Sequence, residues 1–322
     1  MTATAAPTAP TVNEVEPSAT EAAVGLPRRS RGALRPRQPA APRPPTPGGA
    51  VVVSAMLVVA VLCGWFVLQL VVLGGFQQSR AQYGLYADFR QALVAQTAPL
   101  GGTIAAGTPV ALLTVPTLGL QQAVVEGTSS GDLLAGPGHR MDTALPGQVG
   151  VSIVYGRAST YGAPFRSVPS LQPGDGIRVT TGQGEFVYRV DGVRRAGDPL
   201  PAALPTGGSR LTLVTAEGDG PFAALAPSRT VYVDATLQGD PAVGAPGRPS
   251  AIPDSEKAMA GDPSVLPVLA LALQGLLLAA VGTLLLRRHL SGRVLWVIAA
   301  PVLLAMAWLA GGYAVQLLPN LL

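Results

Sequence analysis

Three uninterrupted apolar runs constrain this chain more than any other feature. Residues 50–76, 265–286 and 294–318 contain no charged side chain. About 20 apolar residues in a helix cross a hydrocarbon core of ~30 Å, so each run is long enough to span a bilayer. The first run is too long for a cleaved signal peptide, the leader ahead of it is long, and no small-residue cleavage site precedes Gln77. It reads as a retained anchor. Composition agrees: 12% of the residues are charged and 48% hydrophobic, where soluble domains carry about 25% charge. The second and third runs are joined by Arg287-Arg288-His289-Leu290-Ser291-Gly292-Arg293, a connection so short that the two form a helical hairpin.

Charge sets the expected orientation. Arg28, Arg29, Arg31, Arg35, Arg37 and Arg43 precede the first run, opposed only by Glu14, Glu16 and Glu21, and Arg287, Arg288 and Arg293 lie in the hairpin turn. Residues 77–264 hold 13 basic and 15 acidic side chains. Basic flanks stay on the cytoplasmic side. The leader 1–49 and the turn 287–293 are therefore expected inside and 77–264 outside, in a multi-pass plasma-membrane protein. The leader is rich in Ala, Pro and Thr with no apolar period, and is expected to be disordered. Its arginines are explained as a topology signal, so no nucleic-acid partner is called for.

Cysteine and histidine are scarce. The single cysteine is Cys63, inside the first run, and the histidines are His139 and His289. That excludes an internal disulfide and a four-ligand zinc site. No cofactor and no metal are expected.

The exported segment divides by pattern. Tyr86, Phe89 and Leu93 follow a helical spacing, which predicts a juxtamembrane helix and linker over 77–104. The stretch 239–264 is rich in Gly, Pro and Asp and is expected to be an extended tether. Between them, 105–238 is one domain. Its runs 110–115, 122–126, 149–155, 176–181, 185–195, 210–215 and 229–237 alternate or stay apolar, with turn signals such as Pro173-Gly174-Asp175 and Gly182-Gln183-Gly184 between them. Short strands at this spacing predict an all-β barrel or sandwich.

Four blocks of this domain stand out: Val115-Pro116-Thr117-Leu118-Gly119-Leu120 with Val124-Val125-Glu126-Gly127-Thr128-Ser129; Gly136-Pro137-Gly138-His139 running to Pro146-Gly147; Thr160-Tyr161-Gly162-Ala163-Pro164-Phe165 with Pro173-Gly174-Asp175; and Leu211-Thr212-Leu213-Val214-Thr215, with Arg229 opening the last strand. In these blocks the domain resembles the sortase family, in particular its class E type of actinobacteria. The resemblance implies an eight-stranded sortase-type β-barrel, here with three transmembrane helices, one N-terminal and two in a C-terminal hairpin.

It also implies a cysteine transpeptidase that cuts a sorting motif and joins the new end to a cell-wall or pilus amine. Such chemistry needs a thiolate nucleophile, a histidine that moves protons and an arginine at the developing oxyanion. Carried over by motif, the nucleophile position is Ala216, directly after Thr215. The histidine position, four residues before Tyr161, is Arg157. Only the arginine, Arg229, is kept. Since no cysteine occurs in 77–264, no shift of register restores a thiolate. Thr215, Ser159 and His139 are the candidates for a substituted mechanism, and His139 reads more simply as a structural residue of a Pro-Gly-His turn.

The expectation is accordingly a membrane-anchored pseudoenzyme with no active catalytic residue. In this reading Arg157, Arg229 and Thr215 line a positively charged groove that binds a protein or peptide: another sortase, a sorting-motif protein or an envelope-assembly enzyme. The alternatives are an active class E-type sortase with substituted groups, and a structural subunit of a membrane complex docked through its C-terminal hairpin.

Overall fold

The computed structural model describes residues 47–219 and 227–322. The basic leader falls outside the described residues, except that its last three residues open the first helix. That helix, α1 (Pro47–Leu68), passes through a π-helical turn (Gln69–Leu73) directly into α2 (Gly74–Val94). The expected anchor and the expected juxtamembrane helix are thus one continuous rod. After the barrel come two 3₁₀ turns (Asp254–Glu256 and Pro263–Val265), the second leading into α3 (Leu266–Leu286), and α4 (Gly292–Gln316) completes the hairpin. Among the described residues, three helices are long and apolar enough to cross a membrane. Their large side chains remain exposed, as with Leu277, Leu278, Trp296 and Val297, which in water would be an unusually large apolar surface.

Between the helices lies a closed eight-stranded barrel. Its strands are β1 (Pro109–Val115), β2 (Leu120–Glu126), β3 (Gly138–His139), β4 (Gly150–Tyr155), β5 (Gly176–Thr181), β6 (Gly184–Arg195), β7 (Ser209–Glu217) and β8 (Arg229–Leu237). Around the barrel the order is β1-β2-β3-β4-β7-β8-β6-β5. Neighbours are antiparallel except β2 with β3 and β4 with β7. Seven of these strands coincide with the runs expected from alternation; the eighth, β3, is two residues long and has no period to read. Closure leaves no free sheet edge, which removes the usual route to edge-to-edge association.

Alternation also builds the core. Val110, Leu113 and Val115 of β1, Ile177 and Val179 of β5, Leu211 and Leu213 of β7, and Val233 and Ala235 of β8 point inward and are buried together with Phe165 and Tyr188. At ~25 cal/mol per Å² of apolar surface removed from water, this interior is the main stabilising term for the barrel.

Helix α2 is tied to the barrel by glutamines. Gln82 Oε1 accepts from the Ala123 amide at 2.7 Å, and its Nε2 donates to the carbonyls of Ala123 (3.1 Å) and Ala135 (2.8 Å). Gln78 donates to Gln122 Oε1 at 2.7 Å, and Phe89 is buried. The stretch after β8 also lies on the barrel. Arg248 donates to Glu126 Oε1 at 2.6 Å, Thr128 Oγ1 donates to the Glu256 carbonyl at 2.8 Å, and Gln148 and Ala242 form a β-bridge. The stretch expected to be an extended tether is thus held against the sheet by long-range bonds.

Candidate functional site

The parallel pairing of β4 with β7 sets the geometry. Tyr155 pairs with Val214 and the Gly156 amide donates to the Val214 carbonyl at 2.9 Å, so the chain leaving β4 at Arg157 runs beside the end of β7 at Ala216. Gly156 is required because a Cβ there would fall 2.3 Å from the buried Phe165 ring. The following loop turns sharply: Tyr161 and Ala163 adopt φ of 49° and 45°, a region costly for residues with side chains. Ala216 is buried in an apolar cluster with Leu133, Tyr155, Val214 and Leu321. Thr215 is fully buried, and its Oγ1 has no hydrogen-bond partner among the described residues.

Arg157 is fully buried. One terminal nitrogen donates to Thr160 Oγ1 at 3.1 Å and to the Leu322 carbonyl at 3.2 Å; the other donates to the Ser130 carbonyl and to Ser130 Oγ, both at 2.9 Å. The guanidinium also lies 5.5 Å from the Tyr161 ring centroid. Burial pushes its pKa down to about 10, still far enough above neutrality that it stays charged. Among the described residues it has no carboxylate at ion-pair distance, so the cation is solvated only by hydroxyls and main-chain carbonyls.

The carbonyl of Leu322 belongs to a segment that sequence reasoning left unassigned beyond residue 318, the expected end of the third span. After α4, residues 317–322 turn back into the barrel beside Ala216. Ser130 Oγ donates to the Leu318 carbonyl at 3.3 Å, and the Ala158 amide donates to the Leu321 carbonyl at 2.9 Å. The Asn320 side chain donates to the carbonyls of Thr128 (2.8 Å) and Lys257 (3.0 Å), and its amide donates to the Ala260 carbonyl at 2.8 Å. Thr160 Oγ1 donates to the same Leu322 oxygen as Arg157. Asn320 and Leu321 are fully buried. The only local signal for this segment was a proline and an asparagine directly after an apolar run.

Arg229 stands apart. It pairs across the end of the β7–β8 ladder with Glu217, and its side chain, about half exposed, donates to Asp219 Oδ1 at 2.6 Å. Glu217 also receives Arg195, whose hydrogen bond holds its carboxyl below the usual range. Position 157 is therefore brought beside 215 and 216, while Arg229 is engaged by acids at the rim. His139 lies in β3, fully buried, with Nδ1 2.9 Å from Glu126 Oε2 and Nε2 2.8 Å from the Ala144 carbonyl. Ser159 Oγ is buried without a partner among the described residues. Nor do the described residues contain a group of three or more His, Cys, Asp or Glu placed to hold a metal ion.

Residues 113–237 match the family model of the sortase domain. That match runs from β1 to the end of β8 and makes the barrel a sortase domain. It is similar to sortase D of Bacillus subtilis, with 32% identity over 84 residues, covering 26% of this chain. It is also similar to sortase SrtE1 of Streptomyces coelicolor, with 33% identity over 112 residues, covering 33% of this chain. The chain spans 41% and 30% of the length of these two curated relatives. Among solved structures, a mutant sortase E of Streptomyces avermitilis is 30% identical, with 48% of this chain and 100% of that one covered and a TM-score of 0.35. The sortase domain match ends at Leu237, so the helical hairpin and the segment 317–322 that reaches Arg157 lie beyond it.

Proposed function

We propose that this sortase-family protein is a membrane-held pseudoenzyme whose barrel binds and scaffolds cell-envelope partners and does not cut them. The observation that carries the reading is the pair at the end of β7 and β4: Ala216 where the family places its thiolate, beside a fully buried Arg157 where the family places its histidine. An alanine methyl has no lone pair to attack a carbonyl. A guanidinium that stays charged at neutral pH cannot act as a base. The sole cysteine, Cys63, lies in α1. The charge pattern supports a cytoplasmic leader and hairpin turn with an extracytoplasmic barrel. Partners of matching chemistry are an active sortase, a sorting-motif protein or another envelope-assembly enzyme. Arg157 and Thr215 are proposed to line the binding groove, with Arg229 at its rim, held there by Glu217 and Asp219.

The test is incubation of the full chain, in detergent, with sorting-motif peptides and an amine acceptor, followed by mass spectrometry. The expected result is neither cleavage nor transfer. Turnover that disappears on Thr215→Val, Ser159→Ala or His139→Asn would overturn the reading in favour of a substituted catalytic mechanism.

A further inference from the structure

The groove beside Ala216 holds a peptide already, and it is the chain's own. Its recognition is distributed along residues 318–322. Main-chain carbonyls at Leu318, Leu321 and Leu322 each receive a hydrogen bond from the barrel, and the Asn320 amide and side chain donate to three carbonyls. Leu321 fills the apolar cluster that contains Ala216. Alternating main-chain bonds and side-chain pockets are how a groove reads an extended peptide. The far end of the segment meets a buried cation that has no acidic partner among the described residues, and a buried charge is costly unless an opposite charge or several hydrogen bonds compensate it. An anionic oxygen at the position of the Leu322 carbonyl satisfies Arg157 better than a neutral one.

We propose that the groove binds an extended apolar peptide with an anionic group against Arg157, and that residues 317–322 occupy it in cis with the Leu322 oxygen in that place, locking the α3–α4 hairpin to the barrel and shutting position 216 off from outside ligands. The hairpin is then a docked element with its own socket. Further contacts of the same strand of chain support this: the Asp262 amide donates to the Gln316 carbonyl at 2.8 Å, and Val315 packs with Leu70 and the site-loop residue Tyr161. The proposal rests on reading the groove as a binding surface, but its test measures occupancy and not turnover, so the two can fail separately.

The test uses the full chain in detergent with Cys63→Ala and Ala216→Cys, treated with N-ethylmaleimide. Labelling of position 216 is expected to be slow, because it requires the segment to open. Thr160→Val removes one hydrogen bond to Leu322 and is expected to speed labelling about fivefold. Leu321→Ala removes the buried anchor and is expected to speed it about a hundredfold. A fluorescent peptide of the sequence 318–322 is then offered as free acid and as amide. The acid should bind the Leu321→Ala chain at least about tenfold more tightly than the amide, and neither should bind the chain with its segment intact. Equally fast labelling in all variants overturns occupancy in cis, as does acid binding to the intact chain as tightly as to the released one. Failure of the acid to bind the released chain overturns the binding site, and equal binding of acid and amide overturns the assignment of an anionic group against Arg157. Thr160→Val keeps the labelling comparison decisive even where Leu321→Ala lowers the yield of folded protein.

Discussion

Replacing Arg157 by methionine is expected to stabilise the barrel. The side chain is fully buried, and burial pushes its pKa down to about 10. At ~1.4 kcal/mol per tenfold, burial disfavours the cation by ~3 kcal/mol. Against this stand the bonds it donates. On its loss, Leu322 keeps Thr160 as a donor, and Ser130 Oγ keeps the Leu318 carbonyl as an acceptor. The Ser130 carbonyl loses its donor, at a cost of ~2 kcal/mol for an orphaned buried group. Methionine fills most of the vacated volume with flexible apolar atoms. The balance is a gain of ~1 kcal/mol, which for a domain of this size raises the thermal midpoint by ~3–5 °C. Arg157→Ala should instead lower it, because it adds a cavity worth ~2–3 kcal/mol. Circular dichroism of the full chain during heating in detergent checks both. A midpoint for Arg157→Met more than ~5 °C below that of the unmodified chain would show that the guanidinium is a net structural support, and would refute the view that it is retained for binding.

Two other predictions use different parts of the molecule. Gln69, buried in the π-turn, donates to the Trp308 carbonyl at 3.2 Å, and Gly311 leaves room for it, since a Cβ there would fall 2.0 Å from Gln69 Oε1. Gly311→Ala should cost ~1 kcal/mol, read as a lower thermal midpoint, and Gln69→Ala in the same chain should recover most of it; no recovery would mean that the glycine serves another contact. The second concerns pH. Burial raises the pKa of Asp132 and of Glu256, beside the segment that docks the hairpin. Carboxyls that bind protons more tightly when folded give stability that is full below the ordinary carboxyl range and is lost as pH rises through their raised values. Thermal midpoints should therefore fall from mildly acidic to neutral pH, and Asp132→Asn with Glu256→Gln should flatten the profile; an unchanged slope in that double variant would assign the dependence to other groups.

The parts of this fold legible in the sequence are those with a local period. Strand β5, with Ile177 and Val179 facing in and Arg178 out, announces itself in six residues, and β8 begins and ends where alternation places it. Strand β3 cannot be found that way, because its two residues are defined by partners in β2 and β4 and not by any pattern of their own. The π-turn is equally silent, since residues on either side of it are apolar whichever way the helix faces. Motif register singled out positions 157 and 216, and the β4–β7 pairing brings the ends of their two strands side by side. It carried no information about what covers them, because Leu322 lies 165 positions from Arg157 and meets it only once α4 has delivered it. Composition gave no sign of what holds 239–264 for a related reason: Arg248 and Glu256 are polar residues in a glycine-rich stretch, and only the folded barrel supplies Glu126 and Thr128 as their partners.

The unbroken helix from Pro47 to Val94 has a further consequence. Many membrane-attached domains hang on a flexible stalk and sample a hemisphere of positions. Here Phe89, fixed to the barrel, is fifteen residues along a rigid rod from Gly74, which itself abuts the Tyr161 ring; at ~1.5 Å per residue that is ~22 Å of fixed rise. Such a rod acts as a ruler. The apolar helix at one end and the barrel at the other are thereby kept at one distance and one facing.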